Sequence, residues 1–540
     1  MPDIKDKKPS LKKTAFLVTP ILLILTFIIY LYLKNSYFFG KLDLVYTMLI
    51  FSAATVVLNG IVYAIVLFFV KNDRKKDKLA YSIFFTSLII LFFAILYMPI
   101  KEFVLDLIGE GFTIDGLDAP IFIIGADKIL FPFYVIVFAF VIILSRKFPQ
   151  IVQKVNHLFF YTTAALLLMI VANALIFAKN GHNDISQFKS HTSTIQKQTQ
   201  YPDIYYLIVD TYARNDVLQN YDGFDNSVFT GFLKAHDFYI ADKSRCNFPV
   251  TFLSVNTSLN MRFPDVPKDW VTNASFQTTM RKSTQLNKCA EYLINNGYQY
   301  VPIGFYFFDE PFSKNPSIHI QKGYKKYGNL PQMIIISTPL EFLQQLIRPQ
   351  INDKILRYNI LLSYEQIENS IAVDSPKFVV AHLWGGHPPF IFEEDGTYSK
   401  DLPPIKPADN KPQYVAKRRA KYIEQIKYTN NRLSTIVDKI VKSDSSAIII
   451  LQADHGEWNV DTLMSTHDFV HDTSFLAQRM PILNAYRVPQ SIRSVLYDSI
   501  SPVNSFRIIL DKLGVHSDTL VEDKHNVVWW TDGVKNKIHD

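Results

Sequence analysis

Five long apolar segments fill the first third of the chain, and only a lipid environment or an unusually large helical core absorbs that much apolar surface. They run from Thr14 to Leu33, Leu44 to Val70, Leu79 to Ile100, Ile129 to Leu144 and Leu158 to Ala178. A bilayer core takes about 20 apolar residues per helix, so four of the segments reach across it directly. The fourth is shorter, and the apolar stretch Ala119 to Gly125 lengthens it through Ala126, Asp127 and Lys128. The first segment is too long for the apolar region of a cleavable signal peptide, and four more follow it. The expectation is a five-helix transmembrane domain over residues 1–178.

The basic residues of the connecting loops orient these helices. Lys5, Lys7, Lys8, Lys12 and Lys13 precede the first segment, Lys71, Arg74, Lys75, Lys76 and Lys78 follow the second, and Arg146, Lys147 and Lys154 follow the fourth. The loop from Lys101 to Lys128 instead carries Glu102, Asp106, Glu110, Asp115, Asp118 and Asp127. The amino terminus is therefore expected in the cytoplasm, and everything after the fifth crossing outside it. The chain's formal charge of +7 has the same origin: the three basic stretches sum to +9, leaving −2 for the rest. The outer part has no basic footprint for a nucleic-acid backbone, and the spans lack the charged residues that mark a transport pathway.

Lys179 to Gln200 is polar and reads as a linker. Residues 201–540 then alternate apolar strand runs with helical periodicity. Ile204 to Val209, Tyr298 to Ile303, Phe378 to Leu383 and Ala447 to Leu451 read as buried strands. Leu286, Ala290 and Leu293, ended by Asn296 and Gly297, read as one helix, and Tyr422, Ile426, Thr429, Leu433, Ile436 and Ile440 mark one face of a long one. Continuous apolar strands separated by helices predict an α/β domain with a mostly parallel central sheet covered by helices.

Ligands of such sheets gather at the carboxyl ends of the strands. Asp210 and Thr211 follow the first strand run, Gln452-Ala453-Asp454-His455-Gly456-Glu457 the last, and Ala381-His382 with Gly385-Gly386-His387-Pro388-Pro389 the third. Asp and His are donors that a divalent cation accepts, and Asp454-His455 joined by Asp210 from a second strand end favours a metal site over a capped turn. A mixed oxygen and nitrogen set points to Zn²⁺ or Mn²⁺. Thr251 sits two residues after Pro249, where a helix can start. There its hydroxyl is either an activated nucleophile beside the positive helix end and a cation, or merely the residue that caps the helix.

These clusters, in this order, resemble the alkaline phosphatase superfamily, and within it the membrane-anchored phosphoethanolamine transferases and lipoteichoic acid synthases. The resemblance runs from about Pro202 to Tyr486. Val209-Asp210-Thr211-Tyr212-Ala213-Arg214 is similar to the transferases' Gly-Glu-Thr-Ala-Arg, and Thr251 with Ser254 has the spacing of their nucleophile Thr and a following Ser. His382 and His387 match their two His, and Asp454-His455-Gly456-Glu457 their Asp-His-Gly-Glu. The resemblance implies a cation held by Asp210, Thr251, Asp454 and His455. It also implies a nucleophilic Thr251 that takes a phospho-group from a membrane phospholipid and passes it to an envelope glycan or lipid, or to water. His387 is implied as a phosphate-binding group or proton donor, His382 as support for the metal site or the substrate, and His467 as a further substrate-binding candidate. The implied setting is the bacterial cytoplasmic membrane, with the catalytic domain outside.

Several positions depart from that pattern. Asp210 stands for a Glu, Tyr212 is an added residue, and Arg479 in Gln478-Arg479-Met480-Pro481 stands where the transferases place a His. Sulfatases share the fold but convert a Cys or Ser in Cys-x-Pro-x-Arg. Cys246 is followed by Asn247-Phe248-Pro249, with the proline one place late and no Arg, so a formylglycine sulfatase is not expected. Cys246 and Cys289 either pair outside the cytoplasm or remain separate buried thiols. A hydrolase with water as acceptor would use the same residues, whereas a non-catalytic scaffold would have no need of all four ligands.

Overall fold

In the computed structural model, the described residues are 11–34, 41–69, 73–97, 100–101, 104, 112–113, 123–124, 126–180, 201–268, 270, 273–285, 287–304, 317–319, 330–340, 344, 351–400, 412–457 and 473–526. The chain forms two compact units, Met1–Gln187 with Lys326–Ile351, and Phe188–Lys325 with Asn352–Asp540.

The five apolar segments of the first unit fall largely on long helices: α1 (Leu11–Lys34), α2 (Lys41–Phe69), α3 (Asp73–Ile95), α4 (Ala126–Lys147) and α5 (Pro149–Asn180). Among the described residues two windows are long and apolar enough to cross a membrane, Leu44–Ile61 and Pro149–Ala172, with shorter apolar stretches at Val18–Leu33 and Phe84–Ile95. The first turns of α3 are charged, which shortens its apolar part. Helix α1 packs on α2, α3 and α5, and α3 packs on α4. Ser82 of α3 and Ser145 of α4 hydrogen bond to each other, the kind of polar contact that joins helices in an apolar setting. A two-residue antiparallel pairing, β1 (Phe112–Thr113) with β2 (Ile123–Ile124), lies between α3 and α4 in sequence.

The second unit is built on a six-stranded sheet. Strands β3 (Ile204–Val209), β4 (Phe238–Ile240), β5 (Gln299–Gly304), β6 (Lys377–Leu383), β7 (Ile448–Gln452) and β8 (Asn484–Arg487) lie in the order β4-β8-β7-β3-β6-β5. The four strands legible in the sequence pair in parallel, while β8 runs antiparallel to both β7 and β4. The sheet is thus mixed: its parallel block ends on one side in two short strands that lack the continuous apolar run by which the others announce themselves.

Side chains alternate across this sheet and fill two cores. Tyr205, Leu207 and Val209 of β3, with Val379, Ala381 and Leu383 of β6, face one; Ile204, Tyr206 and Ile208, with Phe378 and Val380, face the other. Both faces are covered, so the strands are apolar throughout. The long helix Pro412–Ser443 buries Tyr422, Ile426, Thr429, Leu433, Ile436 and Ile440, the stripe expected from its periodicity. The helix Lys288–Asn295 starts where the Asn287 side chain accepts from Ala290 N, and it ends at Asn296 and Gly297, whose φ of 88° suits a residue without a Cβ. Cys246 and Cys289 belong to opposite cores and are free thiols, so no disulfide joins them.

The amino ends of β3 and β6 are clamped by a buried ion pair, Lys377 Nζ to Asp203 Oδ2 at 2.7 Å, both 3% exposed. The ammonium also donates to the carbonyls of Ile371 and Val373, and the carboxylate accepts from Ser375 Oγ and Lys377 N. Removing one member leaves the other charge buried, a loss of about 3–5 kcal/mol. Lys377→Met is therefore expected to lower the unfolding free energy of this unit by that amount in urea titration, with much of it recovered on adding Asp203→Asn.

Candidate active site

The register of the sheet creates the site. Ile208 of β3 lies opposite Gln452 of β7, so Asp210 and Asp454, each two residues on, leave the sheet side by side. Oxygen atoms of both carboxylates and a ring nitrogen of His455 lie within 4.8 Å of one another, and all three residues are buried. His455 Nε2 is 3.7 Å from Asp210 Oδ1 and 3.3 Å from Asp454 Oδ2. Its Nδ1 is 3.1 Å from the Gly456 carbonyl, which only accepts, so Nδ1 carries the hydrogen and the lone pair of Nε2 faces the carboxylates.

Thr251 joins them from the helix Thr251–Asn260, with Oγ1 3.0 Å from His455 Nε2. Val250 occupies the capping position, so Thr251 is the first helical residue and its hydroxyl is not spent on a cap. One turn later Ser254 donates to the Asp454 carbonyl at 2.5 Å, tying the helix to the strand end.

Electrostatics favour a cation here. Burial raises the pKa of both Asp210 and Asp454, and the Asp210 charge raises that of Asp454 further. Burial also holds the His455 imidazole well below its ordinary value, so it stays neutral and able to ligate. Asp454 Oδ1 accepts from the backbone of Thr211 and His455, whereas Oδ2 is buried and accepts no hydrogen bond. A divalent ion among these donors satisfies that oxygen and offsets two buried negative charges, so the residues fit a metal.

Residues to which the sequence assigned no role hold this arrangement. Thr211 has φ 59°, a left-handed conformation unfavourable for a β-branched residue; it donates from Oγ1 to Asp210 at 2.8 Å and from N to Asp454 at 3.1 Å. A Cβ at Gly385 would lie 2.5 Å from Val209 Cγ1, and one at Gly386 would collide with the Thr211 carbonyl and the Tyr422 ring. Gly386 N donates to the Asp210 carbonyl, and Gln425 of the long helix donates to the carbonyls of Gly385 and His387. The adjacent glycines were the available signal for a close approach; nothing local flagged Thr211 or Gln425.

His382 lies within β6, 2% exposed, with Nε2 3.8 Å from Asp210 Oδ2. His387 lies past the two glycines, half-buried against Trp384, and donates from Nδ1 to its neighbour's carbonyl at 2.6 Å. Burial lowers its pKa to about 4, so near neutral pH its Nε2 carries a lone pair rather than a proton. Arg479 is buried at the end of the helix Thr473–Arg479. Its guanidinium donates twice to the Pro249 carbonyl, at 3.0 and 2.8 Å, and once to His455 Nε2 at 2.9 Å, fastening the loop before Thr251 to the metal-ligand set. His467 lies outside the described residues.

The sulfatase family model matches residues 269–476, which include His382, His387, Asp454 and His455. Residues 269–476 thus carry a sulfatase-type domain. Comparison with curated proteins found no match. Among solved structures, the chain is similar to the C-terminal periplasmic domain of EcEptC from Escherichia coli, at 10% identity and a TM-score of 0.38 over 62% of this chain and 91% of that one. It is also similar to the phosphonate monoester hydrolase of Agrobacterium radiobacter, at 12% identity and a TM-score of 0.39 over 58% and 74%. A third is the soluble domain of lipooligosaccharide phosphoethanolamine transferase A from Neisseria meningitidis, at 13% identity and a TM-score of 0.34 over 59% and 90%.

Cys246, ahead of the matched stretch, is not a nucleophile in waiting. It is fully buried, and burial pushes its thiol up to about 12.

Loss of a carboxylate that fits a metal and loss of its support differ in degree. Asp454→Ala is expected to abolish stoichiometric zinc binding in equilibrium dialysis. Thr211→Ala removes only the hydroxyl that orients Asp210, and is expected to weaken zinc about 10- to 100-fold in chelator competition.

Proposed function

We propose that this enzyme moves a phosphoryl-linked headgroup, of phosphoethanolamine or phosphoglycerol type, from a lipid donor to an envelope glycan or lipid through a phospho-threonine at Thr251. The observation that carries the reading is the Thr251 hydroxyl, first in its helix and 3.0 Å from His455 Nε2, beside two buried carboxylates. A bound Zn²⁺ or Mn²⁺, held by Asp210, Thr251, Asp454 and His455, supplies positive charge that eases ionisation of the hydroxyl and neutralises phosphate oxygens.

The protein's own groups account for the rest. Thr251 Oγ1 attacks phosphorus, the bond to the donor alcohol breaks, and the proton lost by Thr251 ends on the departing alcohol. In the second displacement an acceptor hydroxyl attacks the same phosphorus, Nε2 of His387 takes its proton, and that proton returns to Thr251 Oγ1 as the bond from phosphorus to that oxygen breaks. Two displacements give retention at phosphorus. The helix Thr251–Asn260 directs its positive end at the reacting oxygen, and Arg479 and Ser254 hold that end in place.

Helices α1 to α5 are the membrane domain of this reading: five spans, with the amino terminus in the cytoplasm of a bacterial cell and the catalytic unit outside. The alternation of basic and acidic loops supports that orientation. A lipid donor and an envelope acceptor are the substrates such a placement brings within reach.

The test is intact and peptide mass spectrometry of the full chain after incubation with mixed phospholipid vesicles and Zn²⁺. A mass increment on the peptide carrying Thr251, absent in Thr251→Ala and after chelation, is the expected result, and its size identifies the headgroup. Free headgroup released with no increment at any time point would make water the acceptor and the enzyme a phosphodiesterase.

A further inference from the structure

The chain visits the helical unit a second time. After β5 it enters the helical unit at Lys326, and at Asn352 it returns to the catalytic unit before β6. The excursion contains the helix Leu330–Ile336, which packs on α1 and α2. Leu330 and Ile334 are buried, 0% and 1% exposed, in one cluster with Ile24 and Ile28 of α1, against which Met48 and Phe51 of α2 also pack.

Its sequence suits a lipid surface. Residues 330–347 hold one charge, Glu341, and are flanked by Lys322, Tyr324, Lys325, Lys326 and Tyr327 before and Arg348 after. Basic and tyrosine residues at the ends of an apolar stretch are the pattern of segments that settle at headgroup depth. Pro331 stands in the first turn of the short helix and Pro339 follows its end. Gln332 and Gln344 exchange side-chain hydrogen bonds of 3.0 and 3.3 Å, and Thr338 Oγ1 donates to the Ile335 carbonyl, so these polar groups are satisfied internally. Leu340 remains 45% exposed. Both ends of the excursion belong to the catalytic unit, so the chain has to return to it. An apolar stretch of this length that must return is re-entrant or interfacial rather than spanning.

We propose that residues 326–351 are a second membrane attachment of the catalytic unit: a re-entrant segment seated in the outer leaflet against α1 and α2, independent of the Lys179–Gln200 linker. The inference rests on reading α1 to α5 as membrane-spanning.

The experiment uses the full chain with a specific protease sequence placed in the linker, reconstituted in phosphatidylethanolamine and phosphatidylglycerol vesicles and cut from the side that the catalytic unit faces. The expected result is that the fragment carrying residues 201–540 stays with the vesicles through a high-salt wash after complete cleavage. In Leu330→Glu/Ile334→Glu the same cleavage is expected to shift the fragment to the supernatant, where zinc binding at its Asp210, Asp454 and His455 reports that it is folded. A wild-type fragment released by cleavage alone overturns the proposal, as does a double-variant fragment that stays on the vesicles. Uncut protein that fails to sediment with vesicles overturns the five-span reading itself, which separates the two failures.

Discussion

Two carboxylates buried side by side are the constraint around which the catalytic unit is arranged. Asp210 and Asp454 repel each other and lack bulk water, and burial drives both toward protonation. The parallel pairing of β3 and β7 nevertheless fixes them as neighbours. Thr211 in its strained conformation, the glycines at 385 and 386, and the Ser254 contact all serve to keep that pair in one geometry. Strain and unsatisfied charge in one place, amid a sheet whose other residues follow ordinary rules, mark the spot where stability has been exchanged for chemistry.

The two ends of β3 make the contrast plain. Asp203, one residue before the strand, is buried against Lys377 and accepts from two further donors, which is what a structural acid needs. Asp210, one residue after it, is equally buried but faces another carboxylate and neutral imidazoles. Residue type and burial are the same at both ends. The partner decides the role: a lysine quenches the first, whereas the second is left to attract an ion.

Much of this was legible in the sequence, for identifiable reasons. The buried parallel strands and the long helix repeat apolar residues at periods that few other structures share, so β3, β6, β7 and the stripe from Tyr422 to Ile440 could be read directly. Strand ends then pointed to Asp210, Asp454 and His455, which the fold does bring together. The short strands β4 and β8 escaped notice because three or four residues carry no measurable period. Arg479 could be located but not interpreted: its link to Pro249 spans 230 residues, and no local pattern encodes a contact between a helix end and so distant a carbonyl. Gln425 is silent for the same reason, as one polar residue on a face otherwise used for packing.

Adjacent strands β5 and β6 are separated in sequence by the excursion at 326–351. During synthesis, β5 emerges long before the partner that pairs with it, and the apolar excursion emerges in between. The sheet therefore closes only after that segment has been made, which makes the order of events a matter of timing as well as of energy. A chain released into water at that stage would carry an open parallel edge and an exposed apolar stretch together, the combination most prone to aggregate.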